Sequence, residues 1–256
     1  MALITSNLQN KYPIYLIPII AILAGMLLPA LNNARQRAKS TQCMSQIKQV
    51  VTAVHFYMDD YNGYICSTDS NANGSNTWMA LLTGKLAQQK KVYIPPAVLR
   101  CPAVQKLEEP SDLKDWPFGS SYGKNTYGMW AFAKTAERSA YYVPERVQNL
   151  GVIQGQFSPG LCGYLKPVQM RNTSGVVLLA DCGYVVTHAS FGYTYYLTGT
   201  TKALTDWNTY IWRIHLNRAS CAFLDGHAAL MDGGQLNALP MKVDVSLTQN
   251  GVKEIR

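Results

Sequence analysis

Apolar and polar positions divide the chain into two regimes. Tyr12 to Leu31, YPIYLIPIIAILAGMLLPAL, is twenty residues without a charge, and a helix crossing a bilayer needs about 20. From Asn32 the pattern becomes periodic. Cys43, Met44, Ile47, Val50, Val51, Val54 and Tyr57 recur at spacings of three and four, while Lys39, Gln42, Gln46, Lys48 and Gln49 take the other face. Those spacings put one apolar stripe along a helix. The two stretches together predict a near-continuous helix from Pro13 to about Asp59, roughly 70 Å long at ~1.5 Å per residue. Asn62-Gly63 is its stop signal. Pro18 and Pro29 each remove a backbone donor and are the expected kinks. A cleaved secretory signal is the rival reading of the apolar run, but such signals carry a shorter apolar stretch of roughly 7–15 residues.

Beyond Gly63 the periodicity breaks up. STDSNANGSN (67–76) reads as a polar loop. TWMALLTGKLAQQ (77–89) predicts a short helix capped by Thr77, with Trp78, Leu81, Leu82 and Leu86 facing a core. YIPPAVLRCP (93–102) reads as extended because of its prolines. Residues 104–118 and 139–175 read as loop. SGVVLLADC (174–182) predicts a buried strand and GYTYYLTG (192–199) a second one. ASCAFLDGHAALM (219–231) is the clearest hairpin, with Asp225-Gly226 as its turn. The expected organisation is an atypical N-terminal segment (1–11), a long helix (12–62) with a membrane span at 12–31, and a globular α+β body (63–256). In that body the helix packs on an antiparallel sheet with long loops.

Composition narrows the function classes. The 256 residues are 48% hydrophobic and 15% charged, with a net charge of +8. Residues 1–62 carry +3 of it, from Lys11, Arg35, Arg37, Lys39 and Lys48 against Asp59 and Asp60. Past Arg35, Arg37 and Lys39 there is no basic stripe, and nucleic-acid binding is not expected. The six cysteines at 43, 66, 101, 162, 182 and 221 include no C-x-x-C pair. Disulfides of an exported domain and buried free thiols both remain open.

Candidate chemistry centres on His215, nine residues, then Asp225-Gly226 and His227. With Asp181, and with Asp206 or His188, these histidines and carboxylates would make a nitrogen and oxygen site for a divalent metal. The simpler reading explains Asp225 by the turn, His227 as its flank and His215 as a histidine bonded to a loop carbonyl; no metal ligand, cofactor or catalytic residue is assigned. G-x-S-x-G, P-loop and H-E-x-x-H patterns are missing from the chain. Gly151 and Gly155 form a lone pair in a loop. Trp116, Trp130, Trp207 and Trp212, with the tyrosines, are either core or a carbohydrate-binding surface.

AILAGMLLPALNNARQRAKSTQCMSQIKQVVTAVHFYMDDYNGYI (21–65) resembles the N-terminal helix of type IV pilin-like proteins, the pseudopilins of type II secretion-like systems. His215 and Asp225-Gly226 resemble the signature of the bacterial group that adds a C-terminal processing-associated domain. VLRCPA (98–103), SSYGKNTYGMW (120–130) and VVLLADC (176–182) are similar to that group's middle segments. The resemblance implies a pilin-like fold and a non-catalytic structural subunit without cofactor. It implies other pilin-like subunits and the secretion or pilus assembly machinery as partners. It also implies a single pass through a bacterial inner membrane, with the body on the periplasmic or extracellular side. Arg35, Arg37 and Lys39 behind the span would by themselves favour a cytoplasmic body. The sequence departs from the family at the processing motif. Asn7 stands where the family has Gly, Leu8 at the first mature position, and Tyr12 where it has Glu. Prepilin peptidase processing therefore does not carry over; an unprocessed anchored relative and a start upstream of Met1 stay open. Two other functions fit the residues: a surface-anchored glycan- or protein-binding module, and a metal-dependent enzyme using His215 and Asp225.

Overall fold

The computed structural model describes residues 16–69, 76–84, 91–104, 127–130, 157–158, 162–165, 172–185, 191–192, 196–197 and 209–255. The chain divides into two compact units, residues 1–38 and 39–256. Helix α1 (Leu16–Asp60) is continuous over 45 residues, through Pro18 and Pro29. Its N-terminal part is long and apolar enough to cross a membrane by length and composition. Ile17, Met26 and Leu27 are 72%, 72% and 66% exposed. That exposure is the reverse of what water favours, and lipid removes its cost. Pro13 lies outside the described residues.

In the second unit the apolar stripe of α1 goes into the core as its spacing predicts. Cys43, Ile47, Val50, Val51, Val54 and Tyr57 are buried, and Met44 packs against them. The helix ends where Asn62 and Gly63 both take positive φ, 54° and 81°. The Gly63 N–H then bonds back to the Met58 carbonyl at 2.7 Å, satisfying one of the last free helix carbonyls.

A four-stranded sheet follows in the order β2-β1-β5-β4, from β1 (Ile65–Asp69), β2 (Asn76–Thr77), β4 (Phe157–Ser158) and β5 (Cys162–Leu165). Several expectations are corrected here. Thr77 ends β2, paired with Thr68, and immediately precedes the helix; its side chain lies outside the described residues. The helix after it, α2 (Trp78–Thr83), is one turn and a half, ended by Gly84 at φ +64°; Leu86 lies outside the described residues. The expected loop 139–175 also contains β4, β5 and a 3₁₀ turn at Thr173–Gly175. YIPPAVLRCP is not extended throughout: Pro96–Leu99 is a 3₁₀ turn, for which proline at the first position is well suited.

The larger sheet has nine strands and runs β11-β10-β6-β9-β12-β13, with β3, β7 and β8 off that path. Its members are β3 (Tyr127–Trp130), β6 (Val177–Val185), β7 (Phe191–Gly192), β8 (Tyr196–Leu197), β9 (Thr209–Trp212), β10 (Ala219–Phe223), β11 (Ala228–Met231), β12 (Val245–Leu247) and β13 (Lys253–Ile255). It is mixed and not purely antiparallel, since β12 runs parallel to β9 and β3 parallel to β8. Strand β6 is central. Residues 176–183 are all buried, which is why SGVVLLADC reads as an unbroken apolar run and not an alternating one. The helix α3 (Gly233–Ala238) carries a capping box between Asp232 and Gln235.

Candidate metal centre

The register of β6 shows how the site is built. Cys182 pairs with Ile211, and Ala180 pairs with Cys221. Two steps along β6 thus face ten along the β9–β10 stretch. Strands β9 and β10 both pair antiparallel with β6, and Arg213–Arg218 are the excursion that joins them and brings His215 to Asp181. The excursion closes on itself: the His215 and Arg218 backbones exchange hydrogen bonds at 2.8 and 2.9 Å. Leu216 and Asn217 take φ of 50° and 62°, the two positive-φ central positions of a type I′ turn. His215 is thereby fixed beside the middle of β6.

Four side chains meet there. Cys43 comes from α1, Cys101 follows the 3₁₀ turn, Asp181 stands in mid-β6 and His215 opens the excursion. One donor atom from each lies within 4.8 Å of the others. Cys43 Sγ is 3.4 Å from Asp181 Oδ1, Cys101 Sγ is 3.2 Å from His215 Nε2, and His215 Nε2 is 3.4 Å from Asp181 Oδ2. All four are buried, with 0%, 0%, 1% and 4% exposure in sequence order. Tyr127 Oη lies 3.0 Å from Cys43 Sγ, and the Ser220 N–H donates to Asp181 Oδ2 at 2.7 Å.

The electrostatics follow from this packing. Burial pushes the Cys43 thiol far up, and the neighbouring Cys101 and Asp181 add to it. Tyr127 is pushed up in the same way, by burial first and then by Cys43 and Asp181. For His215, burial alone would lower the pKa. The bonds to Asp181 and Cys43 outweigh it and hold the imidazole at about 10. The Asp181 carboxylate thus favours a positive charge beside it.

The arrangement does not suit nucleophilic catalysis. A Cys-His-Asp relay uses opposite imidazole nitrogens, one for the nucleophile and one for the acid. Here Nε2 faces both Cys101 and Asp181. Convergence of one nitrogen, one carboxylate and two sulfurs on a single point is the geometry of ligands around a cation.

Of the residues singled out from sequence, Asp181 and His215 come together at this centre. Asp225 and His227 do not join them. They pair with each other at the hairpin turn, Nδ1 to Oδ1 at 2.6 Å, where Asp225 also accepts from the His227 N–H. Burial works against ionisation of Asp225, but the bonds from His227 prevail and lower its pKa. Only Gly226 of the Asp-Gly pair has positive φ, +89°. Asp206, His188, Trp116, Trp207, Gly151 and Gly155, with Asn7, Leu8 and Tyr12, lie outside the described residues, as does the Trp130 side chain. Trp212 is half-buried and donates to the Thr248 carbonyl. Cys43 and Cys101 were not singled out as ligands, because no local spacing joins them to each other or to His215. Cys43, Cys101, Cys182 and Cys221 are not in disulfides.

No family model, no curated protein and no solved structure matches the chain.

Proposed function

We propose that the protein is a membrane-anchored, pilin-like structural subunit of a type II secretion or type IV pilus-like system, with no catalytic activity of its own. The observation that carries this reading is the double character of α1. One continuous helix is apolar and exposed from Ile17 through Leu31, then amphipathic and buried along one stripe from Cys43 to Tyr57. A helix that served only as a soluble core element has no use for the first half. The α+β body that receives the second half supports the same reading.

A non-catalytic role is supported by the burial of the Cys43–Cys101–Asp181–His215 group, since a working site must admit substrate. Asp225 is engaged with His227 at a turn, which removes the partner that an enzyme using His215 and Asp225 would need. The partners are other pilin-like subunits and the assembly machinery, and the membrane is a bacterial inner membrane with the body outside the cytoplasm. Fractionation with alkaline carbonate washing, followed by in vivo crosslinking from cysteines placed at exposed Ile22 or Met26, tests it. Membrane retention with crosslinks to other helical-anchor subunits is expected. A soluble cytoplasmic monomer would overturn it.

A further inference from the structure

We propose that Cys43, Cys101, Asp181 and His215 bind one Zn²⁺ as a closed, tetrahedral, structural site. The donor set carries the metal's identity. Two thiolates and an imidazole are borderline-to-soft ligands that select zinc over calcium or magnesium, which require oxygen. The distances carry the geometry. Zinc bonds of about 2.0–2.3 Å place neighbouring ligand atoms of a tetrahedron about 3.3–3.8 Å apart. Cys101 Sγ stands 3.2 Å from His215 Nε2, Cys43 Sγ 3.4 Å from Asp181 Oδ1 and His215 Nε2 3.4 Å from the other carboxylate oxygen, Oδ2, and one ligand atom from each residue lies within 4.8 Å of the rest. Only small side-chain adjustments separate this arrangement from a coordination sphere.

Two thiolates and one carboxylate carry three negative charges against two on the ion. The net charge of −1 is buried, and such a site needs donors around it. Tyr127 Oη at Cys43 Sγ and the Ser220 N–H at Asp181 Oδ2 are positioned for that. All four ligand positions come from the protein, and all are buried, so no open coordination position is left for substrate. The ion's work is to join α1, the Cys101 segment, β6 and the β9–β10 excursion, four segments distant in sequence. Zinc uptake displaces the thiol protons of Cys43 and Cys101 and the imidazolium proton of His215 Nε2 into solvent, and no redox step is involved.

The test uses the full chain purified in detergent micelles. Elemental analysis should find about one zinc per chain. Exchange with Co²⁺ should give thiolate-to-cobalt charge transfer in the near ultraviolet and the visible bands of a tetrahedral ion. Cys101→Ser and His215→Ala should lose the metal. Cys182→Ala should keep it, because strand alternation turns that thiol to the other face from Asp181. Tyr127→Phe should keep the stoichiometry but weaken zinc about 10–100-fold against a competing chelator. If a ligand variant fails to fold, the wild-type measurements decide. Metal-free folded protein, another metal in place of zinc, or an intact mass showing a Cys43–Cys101 disulfide would overturn the proposal.

Discussion

Ser220 carries two polar groups with different fates. Its N–H donates to Asp181, while its buried Oγ has no hydrogen-bond partner among the described residues. An orphaned buried hydroxyl costs about 1–3 kcal/mol. Ser220→Ala keeps the N–H and should raise stability by about 1 kcal/mol in denaturant unfolding; a lower midpoint would show that the hydroxyl is used. Gly226 is the opposite case. It sits at φ +89°, and a Cβ there would meet His55 Nε2 of α1 at 3.3 Å. Gly226→Ala should lower stability by about 1–2 kcal/mol from backbone strain alone, read as a fall in Tm. At this scale the sequence was half legible. Asp-Gly announced its turn through local chemistry. The partnership of His215 with Cys43 and Cys101 depends on tertiary register, which leaves no local mark.

Elements with one strong periodic signal were the readable ones. The stripe of α1, the run at β6 and the hairpin β10–β11 each follow from burial acting on a repeat. Strands β12 and β13 escaped notice because three residues are too few to show alternation, and the parallel pairing of β12 with β9 is set by a chain crossover. That edge depends on an ion pair. Arg213 is 1% exposed on its side chain and bonds Glu254, which is 31% exposed. Removing one partner strands a buried charge, so Glu254→Ala should cost about 3 kcal/mol, measured by chemical unfolding; a cost under 1 kcal/mol would show that water reaches Arg213. The end of α1 has an exposed counterpart. Asp60 accepts from Lys91, and from Tyr93 at 2.5 Å. These bonds hold its carboxyl below the ordinary 3.8. The folded value is the lower one, so this contribution is complete above the unfolded pKa and is lost as pH falls through the folded one. Carbon-detected titration of Asp60 should show the depressed midpoint, and Asp60→Asn should flatten the acid side of the stability curve.

Across the whole molecule, burial separates the two units. Every buried residue of the described core lies at Ser40 or beyond, and the exposed large hydrophobics concentrate between Ile17 and Leu31. Deleting residues 1–38 should therefore remove the need for detergent while leaving cooperative unfolding and the body's Tm within about 2 °C. That shift corresponds to under 1 kcal/mol for a chain of this size. A body that aggregates or melts without cooperativity would show that the first unit contributes to the core. The α+β class was legible from the switch of helical period to short apolar runs. The mixed sheet was not, since strand direction is a property of connections and not of composition.

The excursion between β9 and β10 turns length into information. From the His215 backbone bridge, a fixed run leads through the Leu216–Asn217 turn and along β10 to the bend at Asp225-Gly226. One residue added within Ala219–Phe223 would invert the facing of the side chains that follow it and move the bend away from His55. Leu216 and Arg218 are exposed, so their side chains can change as far as the positive φ of Leu216 allows. The stretch works as a gauge: its spelling is negotiable, its spacing is not.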